Sequence, residues 1–197
     1  ASSFMRPEIM AIPEETISEL LKDSQLDLFR LQLERLLRYR KHTLTDREER
    51  LLAMQGEMAS AAGNAFRQLN DADLRFGTIE DSEGNSTELS HATFSQFLIH
   101  SDREVRQKAF HQYYEQFTAH ENTLAATLSG SIQRDVYYAR VKNYESSLEA
   151  ALFPDNVPVS VYENLIQAVR DSLPSVHHYL DVRKRKMVLE RLHHYDT

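Results

Sequence analysis

Apolar residues recur every three or four positions along most of this chain, the spacing that places them on one face of an α-helix. The clearest series run over residues 51–69 and 105–117. The pattern predicts a long helix from Thr45 to about Leu69 and another that opens at Ser101. Helices of this kind bury their apolar faces against one another, so we expect a multi-helix array of long antiparallel helices.

Polar residues mark where several of these helices start. A Ser or Thr followed three residues later by Glu forms a capping box, in which each side chain bonds a free backbone N–H group. Such boxes begin at Thr45, Ser101 and Ser146. Residues that suit a first turn predict further helix starts at Pro13, Ser24 and Ser160. Pro174 is predicted to divide the last helical stretch, whose second helix ends near Leu192.

One segment departs from the helical pattern. Residues 74–79 alternate apolar and other side chains, a polar stretch containing Gly84 follows, and residues 87–90 form a second short run. This arrangement predicts a β-hairpin near residues 74–90. Because an isolated hairpin is only marginally stable in water, we expect it to pack against the helices. The predicted fold class is therefore all-α with one small β-hairpin.

Composition limits the classes of function. The chain has 197 residues and a net charge of -7, from 30 acidic and 23 basic residues, so we expect no nucleic-acid partner. The absence of cysteine excludes disulfides, thiolate metal sites and a cysteine nucleophile. No apolar run approaches the roughly 18 residues needed to cross a bilayer, so we expect no membrane partner. Residues 1–7 lack the charged and apolar regions of a signal peptide, and we expect a cytoplasmic protein.

Two short motifs suggest chemistry, and each has a simpler explanation. His120-Glu121 begins like the zinc-protease motif His-Glu-x-x-His, but Leu124 occupies the position of the second histidine. A surface helix is the favoured interpretation there. The basic run Arg183-Lys184-Arg185-Lys186 could bind phosphate groups, but four bases in an acidic chain more often form a solvated helix face.

Other histidines lie near carboxylates or near each other. Glu190 and His193 have the Glu-x-x-His spacing of di-iron helical bundles, and Glu88 with His91 repeats that spacing inside the predicted hairpin. The neighbours in the pairs 177–178 and 193–194 point about 100° apart on a helix, so neither pair can face one site. An exposed helix end is favoured, and a metal-carboxylate bundle stays open as an alternative.

Residue strings over 101–153 carry a family resemblance. They are Ser101-Asp102-Arg103-Glu104-Val105-Arg106, Ala109-Phe110, and Arg140-Val141-Lys142-Asn143-Tyr144-Glu145-Ser146-Ser147-Leu148-Glu149-Ala150-Ala151-Leu152-Phe153. They resemble the oligoendopeptidase F family, zinc metallopeptidases of the thimet-oligopeptidase-like group. Upstream, residues 7–15 and the hairpin are similar to the N-terminal region of that family. Residues 192–197 are similar to a segment that continues onward in its members.

The resemblance implies that the chain is an internal piece of a longer zinc metalloendopeptidase. Residues 1–99 would form the rear part of the N-terminal helical region, and residues 100–197 the first helices of a truncated peptidase domain. The implied parent cleaves short oligopeptides in a deep channel, where zinc polarises water and a glutamate acts as general base. No position here matches a catalytic, cofactor-binding or zinc-binding residue. The chain alone is therefore expected to bind no zinc and to be inactive, serving as scaffold and channel wall.

A second function from another class stays open. The chain could be a stand-alone helical protein-interaction module without enzymatic activity. If it is instead a piece of a larger protein, apolar helix faces should be exposed, and such patches favour self-association. The residues expected on such a face are Leu165, Val169, Val176 and Leu180.

Overall fold

A computed structural model describes residues 5–81 and 83–197, and helices make up most of them. The α-helices are α1 (Met5–Ala11), α2 (Glu14–Leu20), α3 (Arg30–Arg38), α4 (Asp46–Met54), α5 (Gly56–Ala59), α6 (Ala61–Arg67), α7 (His91–Leu98), α8 (Arg103–Ala119), α9 (Glu121–Val141), α10 (Ser147–Leu152) and α11 (Val159–Lys186). The predicted all-α class with one hairpin is confirmed. The expectation about targeting falls partly on residues 1–4, which, like Ser82, lie outside the described residues.

The hairpin pairs two short antiparallel strands, β1 (Thr78–Glu80) and β2 (Ser86–Glu88). It packs against helices, as expected, and it supplies the centre of the core. Ile79 is fully buried and Leu89 nearly so. They belong to a cluster completed by Leu69, Leu74, Phe76, Phe97, Val105 and Ala109.

The side chain of Gln112 fixes the hairpin to α8. Its Nε2 donates to the backbone oxygens of Phe76, at 2.6 Å, and Thr78, at 3.1 Å. Between them, Gly77 has a φ of 75°, a left-handed conformation that suits a residue without a Cβ. A Cβ at this position would also lie 3.0 Å from Gln112 Nε2. The Gln112 side chain therefore holds the hairpin at Gly77, where the backbone turns just before β1.

Small residues let α6 and α9 approach closely. A Cβ built at Gly130 of α9 would lie 2.9 Å from the Cβ of Ala62 in α6. That distance is too short for two carbon atoms, so glycine is required unless the helices move apart. The alanine-rich segment over 59–65 therefore permits close helix packing.

Three of the predicted helix starts follow the sequence closely. Thr45 and Glu48 form both bonds of the capping box before α4. Ser146 caps α10 by accepting from Glu149 N at 3.0 Å, although the Glu149 carboxylate accepts from the preceding backbone N–H, that of Glu145. Pro13 immediately precedes the first residue of α2.

Three other starts were wrong by a few residues, because a neighbouring residue, through its side chain or its fixed φ, suits the helix entry better. Ser24 opens only a 3₁₀ turn, capped by Asp23, and α3 begins later, at Arg30. Asp102, not Ser101, caps α8 through a bond from Glu104 N. The helix expected at Ser160 begins at Val159 after Pro158, whose fixed φ suits a helix entry.

The single long helix predicted from Thr45 to about Leu69 was also wrong. It is divided into α4, α5 and α6 and continues as a π-helical turn to Asp73. The Ser60 hydroxyl donates to the Gly56 carbonyl at 2.9 Å, a competing bond of the kind that bends helices. A helix that the pattern did not predict is α7, which Ser90 caps with Thr93 in place of the usual Glu.

The final helix corrects two predictions. Pro174 does not divide it, and α11 ends at Lys186 rather than near Leu192. A proline inside a helix removes one backbone hydrogen bond, and the remaining hydrogen bonds of this 28-residue helix carry it through Pro174. The end at Lys186 follows from Val188, whose φ of 55° is left-handed. Among the described residues, no helix combines the length and apolar character that spanning a bilayer requires.

Candidate functional site

A buried histidine joins the N-terminal helices to the segment that follows α9. His42 ends a 3₁₀ turn and is 3% exposed. Its Nδ1 lies 2.8 Å from the carbonyl oxygen of Lys142. Because a carbonyl oxygen only accepts hydrogen bonds, Nδ1 carries the proton of this contact. The Nε2 of His42 is buried and has no hydrogen-bond partner among the described residues.

Aromatic and cationic side chains surround the His42 imidazole. Its ring stacks on Tyr144 with centroids 3.6 Å apart. Phe153 meets the pair edge-on, 4.6 Å from His42 and 5.2 Å from Tyr144, and so lies beside the stack rather than above it. The Arg38 guanidinium and the Lys41 ammonium lie 5.0 and 5.6 Å from the Phe153 centroid, within reach of cation–π attraction.

Lys142 makes a second link between the same two regions. Its ammonium lies 2.8 and 2.9 Å from the two carboxylate oxygens of Glu49 in α4. Glu49 also accepts from the backbone N–H of Leu44 at 3.1 Å. Both side chains of the ion pair are about one-third exposed, 31% and 35%, so solvent screens it and we expect a contribution of about 0.5–1 kcal/mol. The Lys142–Glu49 ion pair therefore fixes the position of α4 relative to the segment after α9 and adds little to the free energy of folding.

A cavity of about 720 Å³ opens beside these contacts. Its lining comes from three separate parts of the chain: Met10, Ala11, Tyr39, His42, Thr43, Leu44, Asp46, Glu49, Lys142, Tyr144, Ala150 and Pro154. Burial raises the pKa of Tyr144, so its phenol is neutral at neutral pH. The Thr43 hydroxyl donates to the Tyr39 carbonyl rather than to a base. The lining lacks the nucleophile–base pair of covalent catalysis.

A buried carboxylate fixes the C-terminal segment to α8. The Asp196 side chain is inaccessible to solvent, and its two oxygens accept from Arg103 Nε and a terminal nitrogen, each at 2.9 Å. Arg106 adds a bond of 3.2 Å, and the backbone N–H of His193 one of 3.1 Å. Burial acts to raise the pKa of Asp196, but these hydrogen bonds outweigh it and hold the pKa below its ordinary value.

The sequence-selected candidates lie apart from one another. His120 lies between α8 and α9, and its Nδ1 contacts its own helix at the Gln116 carbonyl, 2.8 Å away. His91 bonds the Tyr113 hydroxyl and the Asn70 carbonyl, so it supports the core rather than a metal.

The remaining candidates lie on α11 or after it. His177 and His178 are exposed on that helix, as are Arg185 and Lys186 of the basic run, whereas Arg183 and Lys184 are partly buried. His193 follows α11, and its ring stacks on Tyr195 with centroids 4.9 Å apart, while Glu190 is exposed.

Sequence reasoning did not select His42 or Asp196, although each has partners on distant parts of the chain. Their partners lie about a hundred positions away, 100 for His42 with Lys142 and 93 for Asp196 with Arg103. No local spacing indicates such pairs. The available signal was that Arg103, Arg106, Lys142 and Asp196 lie within the strings that carry the family resemblance.

Comparison with known proteins identifies the class that this helical fold represents. Residues 8–76 match the family described as Oligopeptidase F, and residues 97–197 match Peptidase family M3. The second match covers more than half of the chain, and the chain belongs to peptidase family M3.

Individual relatives agree with this assignment. The chain is 38% identical to Oligopeptidase PepF of Bacillus subtilis over 197 residues, which is 100% of this chain and 29% of that protein. It is 33% identical to Group B oligopeptidase PepB of Streptococcus agalactiae, over 99% of this chain and 33% of that protein. The crystal structure of oligoendopeptidase-F from Enterococcus faecium superposes with a TM-score of 0.88 at 38% identity, over 97% of this chain and 37% of that one. The chain thus spans about a third of the length of the curated relatives it matches.

M3 peptidases use zinc, and a catalytic zinc ion is held by about three protein ligands that lie together. Over 5–81 and 83–197, no three His, Asp or Glu side chains come together in a way that could hold a metal ion. The sequence also contains no His-Glu-x-x-His. The described residues therefore do not fit a zinc site.

Proposed function

We propose that this chain forms scaffold and channel wall of a longer zinc metalloendopeptidase that hydrolyses short oligopeptides. The observation that carries the proposal is the match to M3 peptidases over both parts of the chain, together with described residues that do not fit zinc. Residues 1–99 would belong to the N-terminal helical region and residues 100–197 to the start of the peptidase domain. The parent would act on oligopeptides in the cytoplasm.

The junction at His42 supports a structural role. It links a residue of the first matched region to Lys142 and Tyr144 of the second, through one hydrogen bond, one stacked pair and one ion pair. Arg38 adds a bond of 3.0 Å to the Pro154 carbonyl. Contacts of this kind hold two groups of helices in a fixed relation. A rigid wall excludes folded substrates by shape and needs no reactive side chain of its own.

A hydrolysis assay tests whether the chain alone is inactive. The purified 197-residue chain is incubated with quenched-fluorescent oligopeptides, with added zinc or with a chelator. Oligopeptidase PepF of Bacillus subtilis serves as the active control under the same conditions. We expect no turnover above the protein-free blank. Chelator-sensitive cleavage by the 197-residue chain would contradict the proposal.

The gene separates this proposal from the alternative of a stand-alone interaction module. An open reading frame that continues past the codon for Thr197 and reaches His-Glu-x-x-His supports the peptidase scaffold. A stop codon directly after Thr197 favours the module. The exposed apolar residues of α11, which could bind another protein, are the observation in favour of the module.

A further inference from the structure

The last helix is held at its two ends and uncovered between them. Near its start, α11 contacts α10, and near its end Arg183 Nε donates to the Asp196 carbonyl at 2.8 Å. Every residue from Ser160 to Tyr179 is exposed, twenty in succession. Isolated helices are marginal in water, because most helix stability in proteins comes from packing of an apolar face. This helix therefore has a face without a partner among the described residues.

The uncovered face is apolar and wide. At about 100° per residue, the exposed apolar side chains of this stretch fall within an arc of roughly 140°. They are Val161, Tyr162, Leu165, Ile166, Val169, Leu173, Val176 and Tyr179. Leu180, expected on the same face, is half-buried. A two-stranded coiled coil needs only a narrow seam, whereas an arc this wide is typical of a helix packed against a layer of other helices.

The size of the face argues against a second copy of this chain as its partner. A stable protein–protein interface uses about 20–30 residues from each side, because association must offset lost rotational and translational freedom. One face of a single helix of 28 residues supplies about half of that number. Packing within one longer chain carries no such cost of association.

The relatives point to the same partner. Oligoendopeptidase-F from Enterococcus faecium contains a region that superposes on 97% of this chain, and this region is only 37% of that protein. Resting on the function proposed above, we infer that the apolar arc of α11 is the docking surface for helices from the remaining two-thirds of an M3 peptidase chain. The polar side of α11, which includes Asn164 and Gln167, faces away from that layer.

Hydrogen–deuterium exchange tests this inference in two proteins. The first is the 197-residue chain, measured over a range of concentrations together with its sedimentation. The second is the complete Enterococcus faecium enzyme, in which the helix matching α11 is followed. We expect the matching amides to exchange at least about 100-fold more slowly in the complete enzyme than residues 160–179 do in this chain. Exchange in α8 of this chain, and in the matching helix of the Enterococcus faecium enzyme, serves as the internal reference rate.

Two variants of this chain distinguish the possible partners. Val169→Glu lies in the apolar arc, and Asn164→Glu places the same charge outside it. If no partner covers α11 in the isolated chain, both variants leave exchange over 160–179 within about twofold of the wild type and the chain monomeric.

Two results would overturn the inference. Concentration-dependent protection that Val169→Glu abolishes and Asn164→Glu preserves would identify a second copy as the partner. Equally fast exchange in this chain and in the complete enzyme would mean that α11 faces solvent, for instance along an open channel. That second result would remove the docking surface while leaving the peptidase assignment intact, because the assignment is tested separately by hydrolysis and by the reading frame.

Discussion

The Nδ1–H group of His42 donates to the carbonyl oxygen of Lys142, 2.8 Å away, and joins residues 100 positions apart in the chain. The same Lys142 binds the Glu49 carboxylate through its ammonium. One residue at the end of α9 thus holds two points of the N-terminal region. Predictions about stability follow from this junction and from three other contacts.

Replacing the junction histidine should destabilise the protein. His42→Ala removes the stacked ring and leaves the Lys142 carbonyl without its donor, so we expect unfolding to become easier by about 2–3 kcal/mol. Urea denaturation followed by circular dichroism measures this. His178→Ala, at an exposed position on α11, serves as the control and should change stability by less than about 0.5 kcal/mol. Equal stabilities of the two variants would contradict the role of His42.

Asp196 should make stability depend on pH. Its pKa is held below the ordinary value of 3.8, so its contribution is present above that value and is lost as pH falls through the folded-state pKa. Asp196→Asn leaves the buried Arg106 without its carboxylate, and we expect it to cost about 2–3 kcal/mol near pH 7. The difference between wild type and variant should shrink as pH falls from about 5 to 3. A difference that stays constant over this range, or one that exposed Asp155→Asn reproduces, would rule the mechanism out.

The close approach of α6 and α9 predicts opposite effects at two glycines. Gly130→Ala gains helix propensity but places a Cβ 2.9 Å from that of Ala62. Gly63→Ala, inside α6, meets nothing within 4 Å and should stabilise by up to about 1 kcal/mol. We expect Gly130→Ala to be less stable than Gly63→Ala by at least about 1 kcal/mol in thermal or chemical unfolding. Ala62→Gly should rescue the first variant, and failure of that rescue would mean that the two helices are not in tight contact.

The amide of Gln112 should stabilise the hairpin. Gln112→Ala removes the donor to the Phe76 and Thr78 carbonyls, and we expect a loss of about 1–2 kcal/mol. Exchange of the β1 amides should accelerate with it. Gln133→Ala, an exposed glutamine whose bond is to Ser129 on its own helix, is the comparison. If both variants unfold alike, the hairpin is held by its buried apolar residues alone.

Features set by neighbouring residues could be predicted from the sequence, and features set by distant ones could not. The Thr45 box and the hairpin were correct because both depend on side chains within a few positions of each other. The prediction at Pro174 was wrong because a proline disrupts a helix only locally, whereas the stability of a 28-residue helix depends on hydrogen bonds along its whole length. The surroundings of His42 could not be predicted from the sequence, because His42 and Tyr144 are distant in the chain and stack only once it has folded.

The Asp196 link has a consequence for the order of events in folding. Its bond to Arg103 closes a loop of 93 residues, and a contact that distant in sequence forms only after much chain entropy has been lost. We therefore expect Asp196→Asn to speed unfolding while leaving the folding rate nearly unchanged, as for a contact absent from the transition state. The bonds of this carboxylate would then form late in folding. They would set the lifetime of the native state and leave the folding rate unaffected.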